Sequence, residues 1–344
     1  MKLSTGLPNC REGRQNPMGS VTKEAIERAA VIAEEVGFHS LWPNEFFVSR
    51  PDVSAKYKQP PNLFDAIVTM AYALAATKRI RIMPSVLILP LHEPLLLARQ
   101  IATLDVFSGG RVTLGVGLGG TKEEFSRMRS GSANRSKMIA EYVAAMRAVW
   151  TEPQASYEGE YVHFDGLETY PKPVQDPLPI LRAGHGDAAL EWIALFGQGW
   201  IDSSHTPEEI QAIMGRIRSR AESAGRSPEN FEVARQLYVS LGETQKEADD
   251  NFAAALPPPV SEQSNAASES PKTEQTGANR SRTGPSRTLV GTPDYVHDEL
   301  RKYEAAGVTD MCVIFYSPTV DAAERQMRLF AREVLPRFTP DTAA

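Results

Sequence analysis

Short runs of apolar and β-branched residues alternate with longer segments in which apolar residues recur at helical spacing, along most of the chain. A parallel α/β fold needs a crossover helix between successive strands, so this alternation predicts such a fold. The pattern contains eight strand–helix pairs. The predicted strands cover residues 2–7, 40–43, 80–89, 111–116, 180–183, 199–203, 231–241 and 310–316.

Eight pairs in chain order favour a closed (β/α)8 TIM barrel over a doubly wound open sheet, which usually has fewer strands. The first predicted strand is followed by Pro8 and Asn9 instead of the glycine motif of a dinucleotide-binding sheet. The active site of such a barrel lies at the carboxyl ends of its strands. We therefore expect functional residues directly after the predicted strands.

Three segments interrupt the alternation. Residues 44–61 form a long polar and aromatic connection, and residues 157–179 begin with a small predicted hairpin at 157–161. Residues 257–287 contain one valine as their only Val, Ile, Leu, Met or aromatic residue, so they are expected to be a flexible insertion in a single domain of residues 1–344. Their place before the last strand–helix pair leaves two interpretations open, a lid over bound ligand or an insertion without a role.

The composition indicates a globular protein that acts on a small molecule. Of the 344 residues, 42% are apolar, and a net charge of −6 argues against nucleic acid as a partner. Apolar runs end well short of the ~20 residues that a membrane span needs, and the first residues lack the apolar core of a signal peptide. We therefore expect a cytoplasmic protein that has no membrane partner.

Several enzyme classes lack their characteristic residues in this sequence. The six histidines do not stand at ligand spacing with a carboxylate, so no metal site is expected. No lysine ends a predicted strand, which disfavours Schiff-base chemistry, and neither a Gly-x-Ser-x-Gly motif nor a Walker loop is present. A barrel without a nucleophile or an electrophile of its own favours a bound cofactor.

Motifs along the chain occur together in the order typical of one known family. They are EEVGFHSLW at 34–42, IMPSVLILP at 82–90, LLARQIATLD at 96–105, SGGRVTLGVGLGG at 108–120, AGHG at 183–186 and GQGW at 197–200. Through them the chain resembles the luciferase-like monooxygenase family, and within it the branch of deazaflavin (coenzyme F420) oxidoreductases. The resemblance covers about residues 1–250 and 289–338.

The resemblance implies a cofactor site at the carboxyl ends of the strands. It places a non-prolyl cis peptide at Ser85-Val86, against which the cofactor ring rests, whereas the residue types alone predict an ordinary buried strand. The cofactor phosphate is expected at Gly184-His185-Gly186, because amides at a helix N-terminus bind anions. The remaining cofactor-binding candidates are Gly117 and Gly119, where a ring would approach the backbone, and Ser203 and Ser204.

The second strand departs from the family pattern. It is followed by Asn44 and Glu45, where many members of this branch carry Asp-His. Asn44 is expected to hydrogen-bond the cofactor ring, and Glu45 is the candidate catalytic acid if its pKa is raised in an apolar cleft beside Phe46 and Phe47. The alternative for Glu45 is a solvated loop carboxylate.

The function implied by the resemblance is hydride transfer between coenzyme F420 and a small organic substrate. Two alternatives stay open: an FMN-dependent monooxygenase that uses reduced flavin and O2, and a flavin-binding barrel without catalytic activity. In the redox cases a separate flavin or F420 reductase would supply the reduced cofactor. A homodimer is expected from the resemblance and from the apolar helices predicted at 62–77 and 93–107.

Overall fold

The structure is a computed structural model that describes residues 1–49, 60–119, 125, 134–227, 231–255 and 288–338. Its strands are β1 (Lys2–Gly6), β2 (Ser40–Trp42), β3 (Arg81–Ile82), β4 (Leu87–Ile88), β5 (Leu114–Gly117), β6 (Ala155–Glu158), β7 (His163–Leu167), β8 (Ile180–Ala183), β9 (Gly199–Asp202), β10 (Glu232–Leu241), β11 (Thr288–Gly291) and β12 (Asp310–Phe315). Its α-helices are α1 (Lys23–Glu35), α2 (Ala66–Ala76), α3 (Pro94–Ser108), α4 (Arg135–Thr151), α5 (Asp187–Phe196), α6 (Pro207–Ser223), α7 (Gln245–Ala255), α8 (Pro293–Ala305) and α9 (Val320–Glu333).

The main sheet is parallel and closes into a barrel. Its strand order is β3-β2-β1-β12-β10-β9-β8-β5-β4, and β3 and β4 are two pieces of the same stretch of chain. Closure occurs where Ile82 bridges Val112: the Ile82 amide donates to Arg111 O at 2.9 Å, and the Thr113 amide donates to Ile82 O at 2.9 Å. Eight positions therefore surround the barrel axis, which confirms the predicted (β/α)8 architecture.

The third predicted strand, residues 80–89, is interrupted in the structure. Hydrogen bonding stops between β3 and β4, where Pro84 has no amide proton to donate and the Ser85 amide turns to Pro43 O at 2.8 Å. The prediction of one continuous strand was therefore wrong. The sequence pattern also missed β11, whose four residues pair with the last residues of β10 outside the main strand order.

Helix starts follow from local side-chain chemistry. Thr206 begins α6 with a complete capping box formed with Glu209. Helix α2 begins later than the predicted residue 62, because the Asp65 side chain accepts from the Val68 amide and makes Asp65 the N-cap. The predicted hairpin is confirmed as the antiparallel pair β6–β7. The polar segment 257–287 lies outside the described residues, and a single domain over the whole chain stays a prediction.

Two apolar layers hold the barrel together. The larger one lies between the sheet and the helices, and the smaller one fills the barrel interior with Trp42, Met83, Leu181, Ile201, Ala234, Cys312 and Ile314. Below the inner layer, Ser4 Oγ bonds Asp310 Oδ1 at 2.7 Å and Ser40 Oγ at 2.8 Å. Trp42 Nε1 donates to Ser40 Oγ at 2.7 Å, so these buried polar groups satisfy one another. No helix in the described ranges is long and apolar enough to span a membrane.

Candidate active site

All barrel strands run in one direction, so the residues that follow them meet at one end of the barrel. The structure places the candidates at that end: Asn44 and Glu45 after β2, Ser85 and Val86 before β4, Gly117 and Gly119 at the end of β5, Gly184, His185 and Gly186 after β8, and Ser203 and Ser204 after β9. Their roles toward a cofactor remain predictions.

Asn44 is buried in a chain of hydrogen bonds that uses both ends of its amide. Arg11 Nη2 donates to Asn44 Oδ1, and Asn44 Nδ2 donates to Ser85 O at 2.6 Å. The Asn44 backbone is held by Asn9, whose Oδ1 accepts from the Asn44 amide at 3.1 Å and whose Nδ2 donates to Asn44 O at 2.8 Å. The chain of bonds thus connects the loop after β1 to the Ser85-Val86 peptide, which is cis as the resemblance implied.

Glu45 forms a pair with a histidine instead of facing an apolar cleft. Its carboxylate accepts from the Ile88 amide and lies 2.9 Å from His92 Nε2, and both side chains are mostly buried. Phe47 is 68% exposed and does not line this pair. The prediction of an apolar cleft around Glu45 was therefore wrong, because the His92 ring and the Ile88 amide of β4 hydrogen-bond its carboxylate. Glu45 is also not the solvated loop residue of the alternative.

The glycines of β5 are explained by the neighbouring strand. A Cβ on Gly117 would stand 2.4 Å from Val86 Cγ2, and one on Gly119 would stand 2.3 Å from Ile88 Cγ2. Gly119 also has a φ of +77°, which disfavours any other residue. The absent side chains let the segment around Val86 press against β5 inside the barrel. Close packing against the side chains of Val86 and Ile88 therefore suffices to require both glycines.

Gly184-His185-Gly186 forms the turn into α5, as the sequence predicted. Gly186 is the N-cap and no side chain caps the helix, while the Ala189 amide donates to Gly186 O at 2.9 Å. Nothing lies within 4 Å of a Cβ built on Gly186, whereas Gly184 has a φ of +129° and its Cβ would stand 3.0 Å from Ala189 Cβ. Trp200 Nε1 donates to Gly184 O at 2.9 Å and holds the turn in place.

Arg182, two residues before this turn, carries an unsatisfied buried charge. The side chain is 1% exposed, and Nε and Nη2 lack a hydrogen-bond partner in the part of the chain that the structure describes. Its Cζ lies 5.2 Å from the centroid of the Trp192 ring on α5. Burial lowers the pKa of Arg182 to about 10. The guanidinium thus lies in the layer between β8 and α5, where its unused donors leave a positive charge behind the turn into the helix.

The residues after β9 surround a buried carboxylate. Asp202 pairs with Arg235 Nε at 3.0 Å and with His205 Nδ1 at 2.6 Å, and it accepts from the Ser204 amide at 3.2 Å. Burial works to raise the pKa of Asp202, but the Arg235 charge and the His205 hydrogen bond outweigh it and hold that pKa below its usual range. Asp202 thereby fixes Ser204 and the His205 ring, which lies 5.2 Å from the His185 ring.

A family model for luciferase-like monooxygenases matches residues 1–310 of the chain. The chain belongs to the luciferase-like monooxygenase family. Members of this family are flavin- or F420-dependent oxidoreductases and monooxygenases, and the barrel with its site at the carboxyl ends fits that description.

Individual relatives within the luciferase-like family use different cofactors. An FMNH2-dependent dimethylsulfone monooxygenase of Pseudomonas putida is 27% identical over 328 residues, which cover 90% of this chain and 86% of the relative. An F420-dependent glucose-6-phosphate dehydrogenase of Amycolatopsis mediterranei is 26% identical over 318 residues, covering 90% and 92%. The fold is shared with a monooxygenase of Streptomyces bottropensis, at a TM-score of 0.76, 22% identity and coverage of 98% and 100%.

Sequence reasoning missed four residues of this luciferase-like site: Arg11, His92, Arg182 and Asp202. A search for charged residues next to strand ends would have found three of them, since Arg11 follows β1 closely, Arg182 stands one residue before the end of β8 and Asp202 ends β9. His92 gave no such signal, because its partner Glu45 is 47 positions away in sequence. Among the described residues, no group of three His, Cys, Asp or Glu side chains is placed to hold a metal ion.

Proposed function

We propose that the protein is a two-electron oxidoreductase that exchanges a hydride between coenzyme F420 and a small organic substrate. The observation that carries this proposal is the glycine turn into α5, which combines a helix N-terminus without a side-chain cap and open space around Gly186. Family membership supplies the reaction class, and these two features supply an anion site where a phosphate-bearing cofactor fits. The F420-dependent relative, matched over 90% of this chain, supports the choice of cofactor.

Each part of the site has a task in this proposal. Gly184, Gly186 and Arg182 would hold the phosphate, and Val86 with Gly117 would form the surface under the ring. The bound deazaflavin would supply the carbon that donates or accepts hydride. Asn44 holds the Ser85 carbonyl in place through Nδ2, and Glu45 holds β4 through the Ile88 amide. The hydrogen bond between Glu45 Oε1 and His92 Nε2 fixes both side chains at this end of the barrel.

FMN is the second candidate cofactor, and the protein would then be a monooxygenase that uses reduced flavin and O2. The FMNH2-dependent relative matches 90% of the chain, so it supports this reading as broadly as the F420 relative supports the first. A separate reductase would supply reduced flavin.

Fluorescence titration of the purified protein with F420 and with FMN tests the proposal. We expect F420 to bind at least tenfold more tightly than FMN, and binding to weaken in Arg182→Met but not in Arg332→Met, a control at an exposed position of α9. Tighter binding of FMN would replace the first proposal by the second. Failure of both cofactors to bind would overturn both.

We further propose that the protein forms a homodimer through α2 and α3. Val68 and Leu96, which are 68% and 46% exposed, line one groove between these helices, and Phe107 at the end of α3 is 84% exposed. Exposed apolar side chains grouped in this way favour burial against a second copy. Sedimentation at micromolar concentration should show a dimer that Val68→Asp with Leu96→Asp converts to monomer. A wild-type monomer at that concentration would refute the proposal.

A further inference from the structure

Arg11 is a buried cation without a counter-ion at the mouth of the barrel. Its side chain is 4% exposed, Nε donates to Leu7 O at 3.1 Å, and Nη2 donates to the neutral amide of Asn44. The guanidinium lies above the inner core, because Nη2 is 3.1 Å from where a Cβ on Gly6 would stand and Cζ is 6.0 Å from the Tyr238 ring. No carboxylate in the described ranges forms an ion pair with it.

The two nearest carboxylates along the chain are held by other groups. Glu12 accepts from the backbone amides of Val21 at 3.1 Å and Asn62 at 2.9 Å. Glu45 is held by Ile88 and His92. A buried charge without a partner is costly, so it persists where a bound group supplies the opposite charge.

The charge of Arg11 acts on groups across the barrel mouth. Burial raises the pKa of Cys312 well above its usual range, and the Arg11 charge opposes this rise. Burial likewise raises the pKa of Tyr316, again against the Arg11 charge. The positive field therefore reaches the inner side of β12, where an anion in the mouth would lie within it.

The walls around this cation are mainly apolar. Val86, Ala183 and Tyr238 are partly buried, pack against the inner core and belong to three different strands or strand ends around the mouth. The Tyr316 ring lies 6.0 Å from the Tyr238 ring and 4.7 Å from the Phe252 ring, measured between ring centroids. A ligand here would meet aromatic and aliphatic surface together with one guanidinium.

We propose that Arg11 selects an anionic substrate, a small molecule with one carboxylate on an aromatic or aliphatic body. This inference rests on the proposed function, because it assumes that the substrate enters the same barrel mouth as the cofactor. Arg11 would provide the charge that recognises the carboxylate, and the surface of Val86, Ala183 and Tyr238 would receive the apolar body. The hydrogen bond between Asn44 and Ser85 would hold the guanidinium at a fixed position relative to the surface under the cofactor ring.

A fluorine NMR titration tests the inference with 4-fluorobenzoate and its neutral counterpart 4-fluorobenzamide, run with and without saturating cofactor. We expect the wild type to bind the benzoate at least tenfold more tightly than the benzamide. Arg11→Gln, which keeps a donor for Asn44, should abolish this preference, and Arg11→Lys should retain most of it. Arg28→Gln makes the same charge change on the exposed side of α1 and should behave as wild type.

The outcomes separate the inference from the proposed function. Equal binding of both probes by the wild type, or a preference that survives in Arg11→Gln, overturns the inference even when a cofactor binds. A tenfold loss of cofactor affinity in Arg11→Gln, with unchanged probe binding, would assign the charge to the cofactor ring and also overturn it. Preference for the benzoate with no binding of F420 or FMN would support Arg11 as an anion site while refuting the proposed function.

Discussion

The two ends of the barrel both carry buried or half-buried arginines, but they use them differently. At the amino end, Arg111 makes five hydrogen bonds to neutral acceptors, and Glu34 accepts from the amides of Lys78, Arg79 and Ile80. At the carboxyl end, Arg182 has two donors without partners among the described residues, and Arg11 has no counter-ion there.

Cavity size alone would have pointed to the amino end of the barrel. A cavity of about 770 Å³ lies at the amino end, lined by Lys2, His39, Arg81 and Arg111 among others. Burial, followed by the charges of Lys2 and Arg81, lowers the pKa of His39 there to about 4. Arg81 and Arg111 in this cavity already donate to carbonyl oxygens, so these two side chains stabilise the fold. Unused donors, and not volume, mark the end where a ligand is expected.

The largest expected effect comes from the amino end. Arg111→Met removes the hydrogen bonds that tie Leu74, Thr77, Ile80 and Ser108 together and leaves their oxygens unsatisfied. We expect a loss of about 5 kcal/mol in the free energy of unfolding, measured by urea denaturation. Arg79→Met, an exposed neighbour in the same cavity, should change it by less than about 0.5 kcal/mol. Similar losses in both variants would show that the hydrogen bonds of Arg111 are not the cause.

A pH effect of similar size is expected from the floor of the barrel. Burial, assisted by the charge of Glu232, raises the pKa of Asp310 to about 7, although the Ser4 hydrogen bond opposes the rise. A raised pKa means that the folded protein binds a proton which the unfolded chain has already released. The contribution of Asp310 to the free energy of unfolding should therefore be fully present below about pH 4. It should fall by roughly 4 kcal/mol as the pH rises to about 7.

Asp310→Asn provides the control for this pH effect, because the amide resembles the protonated acid and does not titrate. Urea denaturation between pH 4 and 8 should show a flatter profile in the variant, which should exceed the wild type in stability at pH 8. An unchanged slope would mean that Asp310 is not the group responsible.

A smaller effect, on binding instead of folding, is expected at the N-terminus of α5. Gly186→Val places a branched side chain in open space above the first helix amides, so cofactor affinity should fall tenfold to a hundredfold with little change in stability. Gly184→Val should weaken binding but also destabilise the fold by about 1 to 3 kcal/mol, because φ is +129° there. Gly215→Val, in open space on α6, is the binding control. Wild-type affinity in a folded Gly186→Val protein would remove this turn from the site.

The smallest expected effect concerns the Glu45–His92 pair. Unfolding free energies of Glu45→Gln, His92→Gln and the double variant form a cycle that measures the coupling of the two side chains. We expect a coupling of about 1 kcal/mol, because the pair is mostly buried and joined at 2.9 Å. Additive losses in the two single variants would show that the pair does not hold β4 in place.

Local patterns predicted the barrel but only part of its site. The alternation of strands and helices depends on near neighbours in sequence, and the open turn at Gly184–Gly186 could be predicted because glycine and a helix start stand side by side. The break at Pro84 was missed because the surrounding residues all favour a strand. Arg11 and His92 were missed as site residues because they contact Asn44 and Glu45 across 33 and 47 positions, distances that only the closed barrel bridges.

Strand β11 fixes the point at which the chain rejoins the barrel. β11 keeps a fixed register with β10, from Thr288 opposite Tyr238 to Gly291 opposite Leu241, and α7 packs against both strands. The described structure thus ends at Ala255 of α7 and resumes at Thr288 of β11, and these two elements pack against each other. The position of β11 is therefore set by its own pairing with β10 and by its packing against α7.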